Sequence, residues 1–195
     1  MESISSTSAE FFDAIYAGAD DPWKFASSVE ERTRYATVVT ALGDRRFESA
    51  FEPGCSIGEL TAQLALRCDR LLATDISVLA ADRARRRCAS LPQVEVRHEA
   101  LTLASVRATT DVFDLIVFCE VGYYFAEHEL ARVVDGLTAE MQPGGLFVAT
   151  HWTGHSDDHV LPGDQVHHIV RSCGSLTSID DERYDNFLFG SWRRT

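Results

Sequence analysis

One stretch of this 195-residue chain constrains it most: Phe51-Glu52-Pro53-Gly54-Cys55-Ser56-Ile57-Gly58-Glu59-Leu60. A short strand-forming run, 48–53, enters it, and a helical pattern from about Gly58 to Arg67 leaves it. Gly54 and Gly58 let the backbone turn tightly and approach a ligand with no Cβ in the way. A second strand, Leu71-Leu72-Ala73-Thr74-Asp75, ends on a carboxylate about 20 residues beyond the first glycine. In a doubly wound sheet, ligands bind beyond the carboxyl ends of the strands. The order strand, glycine loop, helix, strand, Asp therefore predicts an α/β fold with a ligand site at this loop.

The rest of the chain keeps that rhythm. Helical pieces flank Asp21-Pro22-Trp23, the second running from Glu30 to Leu42 and stopping at Gly43. After the Asp75 strand come a helix over Val78–Cys88, a strand at Val94–Arg97 and the strongest apolar run, Phe113–Cys119. A helix over Glu127–Met141 then precedes a Pro143-Gly144-Gly145 turn and the strand Leu146–Thr150. Strands alternating with helices through short turns predict a mainly parallel sheet with helices on both faces. Ser175–Asp180 and Asn186–Trp192 read as a closing antiparallel pair. We read residues 1–195 as a single domain, with a helical lid at 1–47 and a core at 48–195.

Composition narrows the partners. The net charge of −12 opposes a polyanion, because nucleic-acid binding is dominated by phosphate neutralisation. The basic run Arg83-Ala84-Arg85-Arg86-Arg87 reads as the solvated face of a helix. No apolar run is long enough to span a membrane. The N-terminus lacks the basic and apolar regions of a secretory signal. Five widely spaced cysteines fit neither a disulfide framework nor a zinc ribbon and suit a reducing cytoplasm. These features predict a cytoplasmic protein acting on a small molecule.

Three chemistries fit part of the loop. A dinucleotide site places pyrophosphate at the helix N-terminus, where Glu59 would oppose it, and the spacing is not G-x-G-x-x-G. Gly54-Cys55-Ser56-Ile57-Gly58 matches the G-x-S-x-G elbow of a serine hydrolase, with Ser56 as nucleophile. That reading leaves Glu52 and Asp75 unexplained, and too little strand precedes the loop. S-adenosylmethionine accounts for every part. It carries no phosphate and is positive at its amino group and sulfonium. Glu52 meets the cationic amino-acid portion, the backbone of Gly54, Cys55, Ser56 and Gly58 makes room for it, and Asp75 with Ile76 takes the ribose.

Further residues follow from the strand ends. Glu99, Ala100 and Leu101, after the third strand, are placed to contact adenine. Cys119, Glu120 and Val121, after the fourth, face cofactor and acceptor. Tyr123, Tyr124, His151 and Trp152 are candidates for the acceptor pocket. His151 is the first candidate for a general base, weighed against a purely structural hydrogen bond, and Glu120 is the second. His155 and His159 read as solvated loop residues, and their spacing supports no metal site.

Together, Phe51–Gly58, Ala73-Thr74-Asp75, Cys119-Glu120-Val121-Gly122-Tyr123-Tyr124, His151-Trp152 and Gly163-Asp164-Gln165-Val166-His167 resemble the NodS-type branch of class I methyltransferases. The resemblance runs from Asp21-Pro22-Trp23 to the final strand. It implies a Rossmann-like sheet of seven strands, mostly parallel with an antiparallel last strand. It also implies N-terminal helices that cover the cofactor with Trp23 and Arg34. The implied activity is methyl transfer from S-adenosylmethionine to a small acceptor, with an amine of a polar metabolite expected first. O-methylation of a hydroxyl or phenol is the alternative, and a non-catalytic cofactor-binding module is the reading from another class.

Overall fold

The sheet has seven strands: β1 (Ala50–Pro53), β2 (Leu71–Asp75), β3 (Val94–His98), β4 (Phe113–Cys119), β5 (Met141–Trp152), β6 (Leu176–Arg183) and β7 (Phe187–Arg194). Their order is β3-β2-β1-β4-β5-β7-β6. A computed structural model provides this description, which covers residues 7–108 and 112–195. The first six residues of the expected lid lie outside the described residues. The chain divides into two compact units, Ser8–Leu101 and Thr102–Thr195.

In the first unit β1, β2 and β3 pair in parallel. β2 is buried along its length, as a strand covered on both faces must be. Helices α1 (Ala9–Gly18) and α2 (Val29–Ala41) start at Ser8 and Ser28, whose hydroxyls accept the amides of Phe11 and Glu31. α3 (Glu59–Leu64) follows the glycine loop and α4 (Val78–Arg87) follows β2. α4 has Ser77 as its N-cap and three arginines in its last turn, where the helix dipole favours positive charge. Cys55, Ala73, Ala84 and Val96 pack beneath the loop.

The expectation that the arginine run is a solvated face holds at Arg85, Arg86 and Arg87, which are exposed, but not at the half-buried Arg83. Arg83 bonds the carbonyls of Tyr16, Ala19 and Asp20, which ties α4 to the end of α1. Arg87 reaches the Ile57 carbonyl and pairs with Glu59 at 2.5 Å. Long arginine side chains cover neighbouring backbone while keeping their charge paired.

In the second unit β4 and β5 pair in parallel, whereas β7 runs antiparallel to both β5 and β6. The expected turn at Pro143-Gly144-Gly145 is instead a bulge inside β5: Phe113 faces Met141 and Leu115 faces Leu146. Gly144, at φ +81°, takes the left-handed conformation there. Two helices were not foreseen, α5 (Leu103–Ala108) and α7 (Gly163–Arg171). The buried faces of α6 (Glu127–Ala139) and α7 carry Leu130, Val133, Val134 and Leu137, and Val166, His167, Ile169 and Val170. β6 runs on to Arg183 because an edge strand tolerates, and is protected by, charges such as Asp180–Arg183. Among the described residues no helix is long and apolar enough to cross a membrane.

Candidate functional site

The first unit assembles one group of candidates around the end of β2. Gly54 and Ser56 both have positive φ, +73° and +50°, so the loop doubles back above β1 and β2. Gly54 and Cys55 donate their amides to the Thr74 carbonyl at 2.8 and 2.9 Å. Ser56 then donates its amide to Asp75 Oδ2 at 2.8 Å, while Ser77 donates to Oδ1 at 2.8 Å. The carboxylate thus holds the glycine loop and the start of α4 at once. Burial raises Asp75 to about 6, against the pull of those two amides.

Gly58 caps α3 at φ +81°, and a Cβ there would lie 3.0 Å from Ala84 Cα. Only glycine satisfies both the conformation and the close helix approach. Glu52, at the end of β1, is 3% exposed, and burial raises it to about 8, partly opposed by the Thr61 hydroxyl. Its Oε2 has no protein partner among the described residues. A buried carboxylate left open in this way suits a cationic ligand.

Several contributors here were not read from the sequence. Tyr16 shares a hydrogen with Ser56 through their hydroxyls at 2.5 Å, and Ser77 donates to Asp13 at 2.6 Å. Trp23 meets the Tyr16 ring edge-on at 5.3 Å, so this expected lid residue joins the group through Tyr16. Arg34 is buried and its guanidinium lies 3.1 Å from Glu31. Ile76 offers its carbonyl to His98, and the Glu99 amide donates to the Asp75 carbonyl. Glu99 and Ala100 are half-buried, and Leu101 is buried. The hydroxyl of Ser56 faces a tyrosine rather than a histidine base, which removes the geometry a serine hydrolase requires.

The second unit assembles the other group after β4 and β5. Glu120, at φ +57°, follows the buried Cys119 and accepts from two directions. Tyr123 donates its hydroxyl to Oε2 at 2.6 Å and Trp152 its amide to Oε1 at 3.0 Å. Val121 leads into a short 3-10 turn, Gly122–Tyr124. His159 is not a solvated loop residue: its ring stacks on Tyr123 at 3.8 Å and meets Tyr124 and Trp152 edge-on. The Tyr123 carbonyl accepts the amides of Val160 and Leu161, which fastens the loop after β5 to the turn. Burial lowers the His159 pKa.

His151 does not stand open to an acceptor. It is fully buried, and its Nε2 accepts the Gly122 amide at 3.0 Å. A Cβ on Gly122 would fall 2.9 Å from that nitrogen, so the turn and the histidine are fitted to one another. Of the two roles open to it in the sequence, the structure displays the structural hydrogen bond. Among the described residues no three His, Cys, Asp or Glu gather as a metal ion would need.

Residues 15–151 match the family model described as Nodulation protein S (NodS). The nodulation protein S of Rhizobium tropici is 34% identical over 134 residues, 67% of this chain and 54% of that protein. The matches span 54% to 61% of the nodulation S proteins concerned. Among solved structures, the N-methyltransferase NodS of Bradyrhizobium japonicum WM9, in complex with S-adenosyl-L-homocysteine, has a TM-score of 0.82 at 23% identity. That alignment covers 96% of this chain and 99% of the other. A candidate methyltransferase from Pseudomonas syringae has a TM-score of 0.73 at 33% identity, covering 86% of this chain and 100% of its own.

Proposed function

This chain belongs to the nodulation protein S (NodS) family, and we propose that it transfers a methyl group from S-adenosylmethionine to an amine nitrogen of a small polar metabolite. One observation carries the cofactor assignment. The Asp75 carboxylate anchors the Ser56 amide of a loop held open by Gly54 and Gly58, beside a buried Glu52 with one oxygen unmet. Glu52 would face the ammonium of the methionyl part. Asp75 uses one lone pair of each oxygen on an amide, leaving the others for ribose hydroxyls. Glu99 and Leu101 are assigned to adenine, and Trp23 and Arg34 to the cover. The bound cofactor supplies a methyl group activated by its sulfonium.

For the acceptor we assign Glu120, Tyr123, Tyr124 and Trp152. An amine attacks only in its neutral form, and Glu120 is the group we assign to take its proton. The main contribution of the protein is to hold the reacting atoms in line, which can supply several kcal/mol of the barrier. His151 is a positioning residue that holds the Gly122–Tyr124 turn. The acidic surface, at net charge −12, favours cationic small acceptors over nucleic acids.

Calorimetric titration of S-adenosylmethionine and S-adenosylhomocysteine into wild type and Asp75→Ala tests the cofactor site. Micromolar binding weakened by the substitution supports it, and no binding to wild type overturns it. An acceptor screen with amines before alcohols then separates N- from O-methylation and from a non-catalytic binding module.

A further inference from the structure

The loop after β5, residues 153–162, carries a histidine that the assigned chemistry does not use. His159 is half-buried, and its ring lies within 13° of parallel to that of Tyr123, with centroids 3.8 Å apart. The rings of Tyr124 and Trp152 meet it edge-on at 5.3 and 6.0 Å. Three of the residues assigned to the acceptor thus box one imidazole.

The backbone prepares that position. His159 donates its amide to the Ser156 carbonyl at 3.1 Å, and Val160 and Leu161 donate theirs to the Tyr123 carbonyl at 2.8 and 3.0 Å. A Cβ on Gly154 would overlap the Trp152 ring at 1.9 Å, and one on Gly163 would fall 2.4 Å from the Trp152 carbonyl oxygen. Both ends of the loop are therefore closed on Trp152, and its middle is pinned to the Gly122–Tyr124 turn.

Which atoms are already engaged decides what the cluster can offer a ligand. Tyr123 is 4% exposed: its hydroxyl donates to Glu120, His159 covers one face, and His151 meets the ring edge-on at 5.3 Å. Little of it is left for an acceptor. The ring edge of His159 is different. No hydrogen bond from the described residues reaches its nitrogens, and neither is sealed in the interior. Burial lowers its pKa, so at neutral pH the ring has one N–H donor and one lone-pair acceptor. Stacking fixes the plane of the ring without using either nitrogen.

We propose that His159, carried on the face of Tyr123, recognises the methyl acceptor by hydrogen bonds from its ring edge to a hydroxyl or amide beside the reacting amine. This rests on the methyltransferase reading above. Hydroxyls and amides each present a donor and an acceptor, which matches a neutral imidazole. Glu120 keeps the amine, and His159 reads the group next to it. Tyr123 is then a positioning residue, holding His159 by its face and Glu120 by its hydroxyl.

Two measurements test this. In the first, diethylpyrocarbonate, which acylates accessible neutral imidazoles, is applied to the full-length protein and the modified residues are mapped by mass spectrometry. His159 should react and the fully buried His151 and His167 should be spared. A His159 as unreactive as those two overturns the proposal. The second follows methyl transfer to the amine that the acceptor screen returns. His159→Phe keeps a ring on Tyr123 and removes both nitrogens, so KM for the amine should rise at least roughly tenfold, with kcat within about threefold. Affinity for S-adenosylhomocysteine should not change. His159→Gln, which restores a donor and an acceptor, should recover part of the loss. His155→Phe, at an exposed position of the same loop, should lose nothing. A ring that only packs predicts instead that His159→Phe matches wild type and His159→Gln is the damaged variant, and that result overturns the proposal. Wild type that neither binds S-adenosylhomocysteine nor methylates any amine fails at the methyltransferase reading itself, and this inference falls with it.

Discussion

Asp75 Oδ2 accepts the Ser56 amide at 2.8 Å, so the carboxylate that ends β2 is also the anchor of the glycine loop. Its other oxygen takes the Ser77 amide at the start of α4. Removing the side chain therefore frees both the glycine loop and the start of α4. Asp75→Ala should weaken binding of S-adenosylmethionine by at least tenfold, about 1.4 kcal/mol, in isothermal titration. Tyr16→Phe, which removes only the hydroxyl meeting Ser56, should weaken it less. Equal affinity in wild type and Asp75→Ala would detach Asp75 from the cofactor site.

The two buried carboxylates give the unliganded protein a pH signature. Glu52 is raised to about 8 and Asp75 to about 6, in both cases chiefly by burial. A raised acid holds its proton longer in the folded state than in the unfolded one. The unfolded chain then binds fewer protons across the window, and stability falls as pH rises. For Glu52 the loss runs from its ordinary value near 4.5 up to about 8, and for Asp75 from 3.8 to about 6. Urea unfolding of the ligand-free protein should show lower stability at about pH 8 than at about pH 5.5, by a few kcal/mol. Glu52→Gln should flatten most of that slope.

The same shifts reverse sign for a cationic ligand. Bound positive charge favours the ionised carboxylates, so binding should release protons and tighten as pH rises towards 8. Calorimetry in two buffers of different ionisation enthalpy measures the protons released. Glu52→Gln should reduce that number, and an unchanged number would show that Glu52 does not face the cation.

How much of this was legible in the chain depends on the range of the interaction. The strand–loop–helix–strand order and the places of Gly54, Gly58 and Asp75 within it are readable because turn chemistry and strand ends are local. Tyr16, Asp13 and Arg83 were not, because the partners of Tyr16 and Asp13 lie 40 and 64 residues away and only packing brings them together. In α7 the helical period is short, carried by Val166, Ile169 and Val170 and interrupted by the buried His167, so packing rather than pattern reveals it. For His151 the sequence leaves open a general base facing an acceptor and a purely structural hydrogen bond. The structure covers it with the Gly122 turn, whose amide donates to Nε2, a contact that no spacing along the chain encodes.

Glycine substitutions separate backbone strain from packing. Gly43 and Gly58 both have positive φ, +59° and +81°. A Cβ at Gly43 meets nothing within 4 Å, whereas at Gly58 it would crowd Ala84 at 3.0 and 3.1 Å. Gly43→Ala should cost about 1 kcal/mol, the backbone contribution alone. Gly58→Ala should cost more, by about 1–3 kcal/mol of overpacking, and should also weaken cofactor binding because α3 and α4 must move apart. Equal losses in chemical denaturation would contradict the close contact.

The role of His151 follows from which nitrogen is engaged. A general base needs an open lone pair, and the Nε2 lone pair already accepts the Gly122 amide inside a fully buried pocket. His151→Gln preserves a hydrogen-bond acceptor but removes the imidazole, whereas His151→Phe removes both. A positioning role predicts that His151→Gln keeps most of the turnover with an unchanged pH–rate profile. It also predicts that His151→Phe loses turnover together with thermal stability. A catalytic role predicts instead that both variants lose turnover alike, and that His151→Gln loses the acidic limb of the profile while remaining folded. Measuring kcat against pH for the two variants, once an acceptor is in hand, decides whether this histidine moves a proton or holds the turn that carries Tyr123 to Glu120.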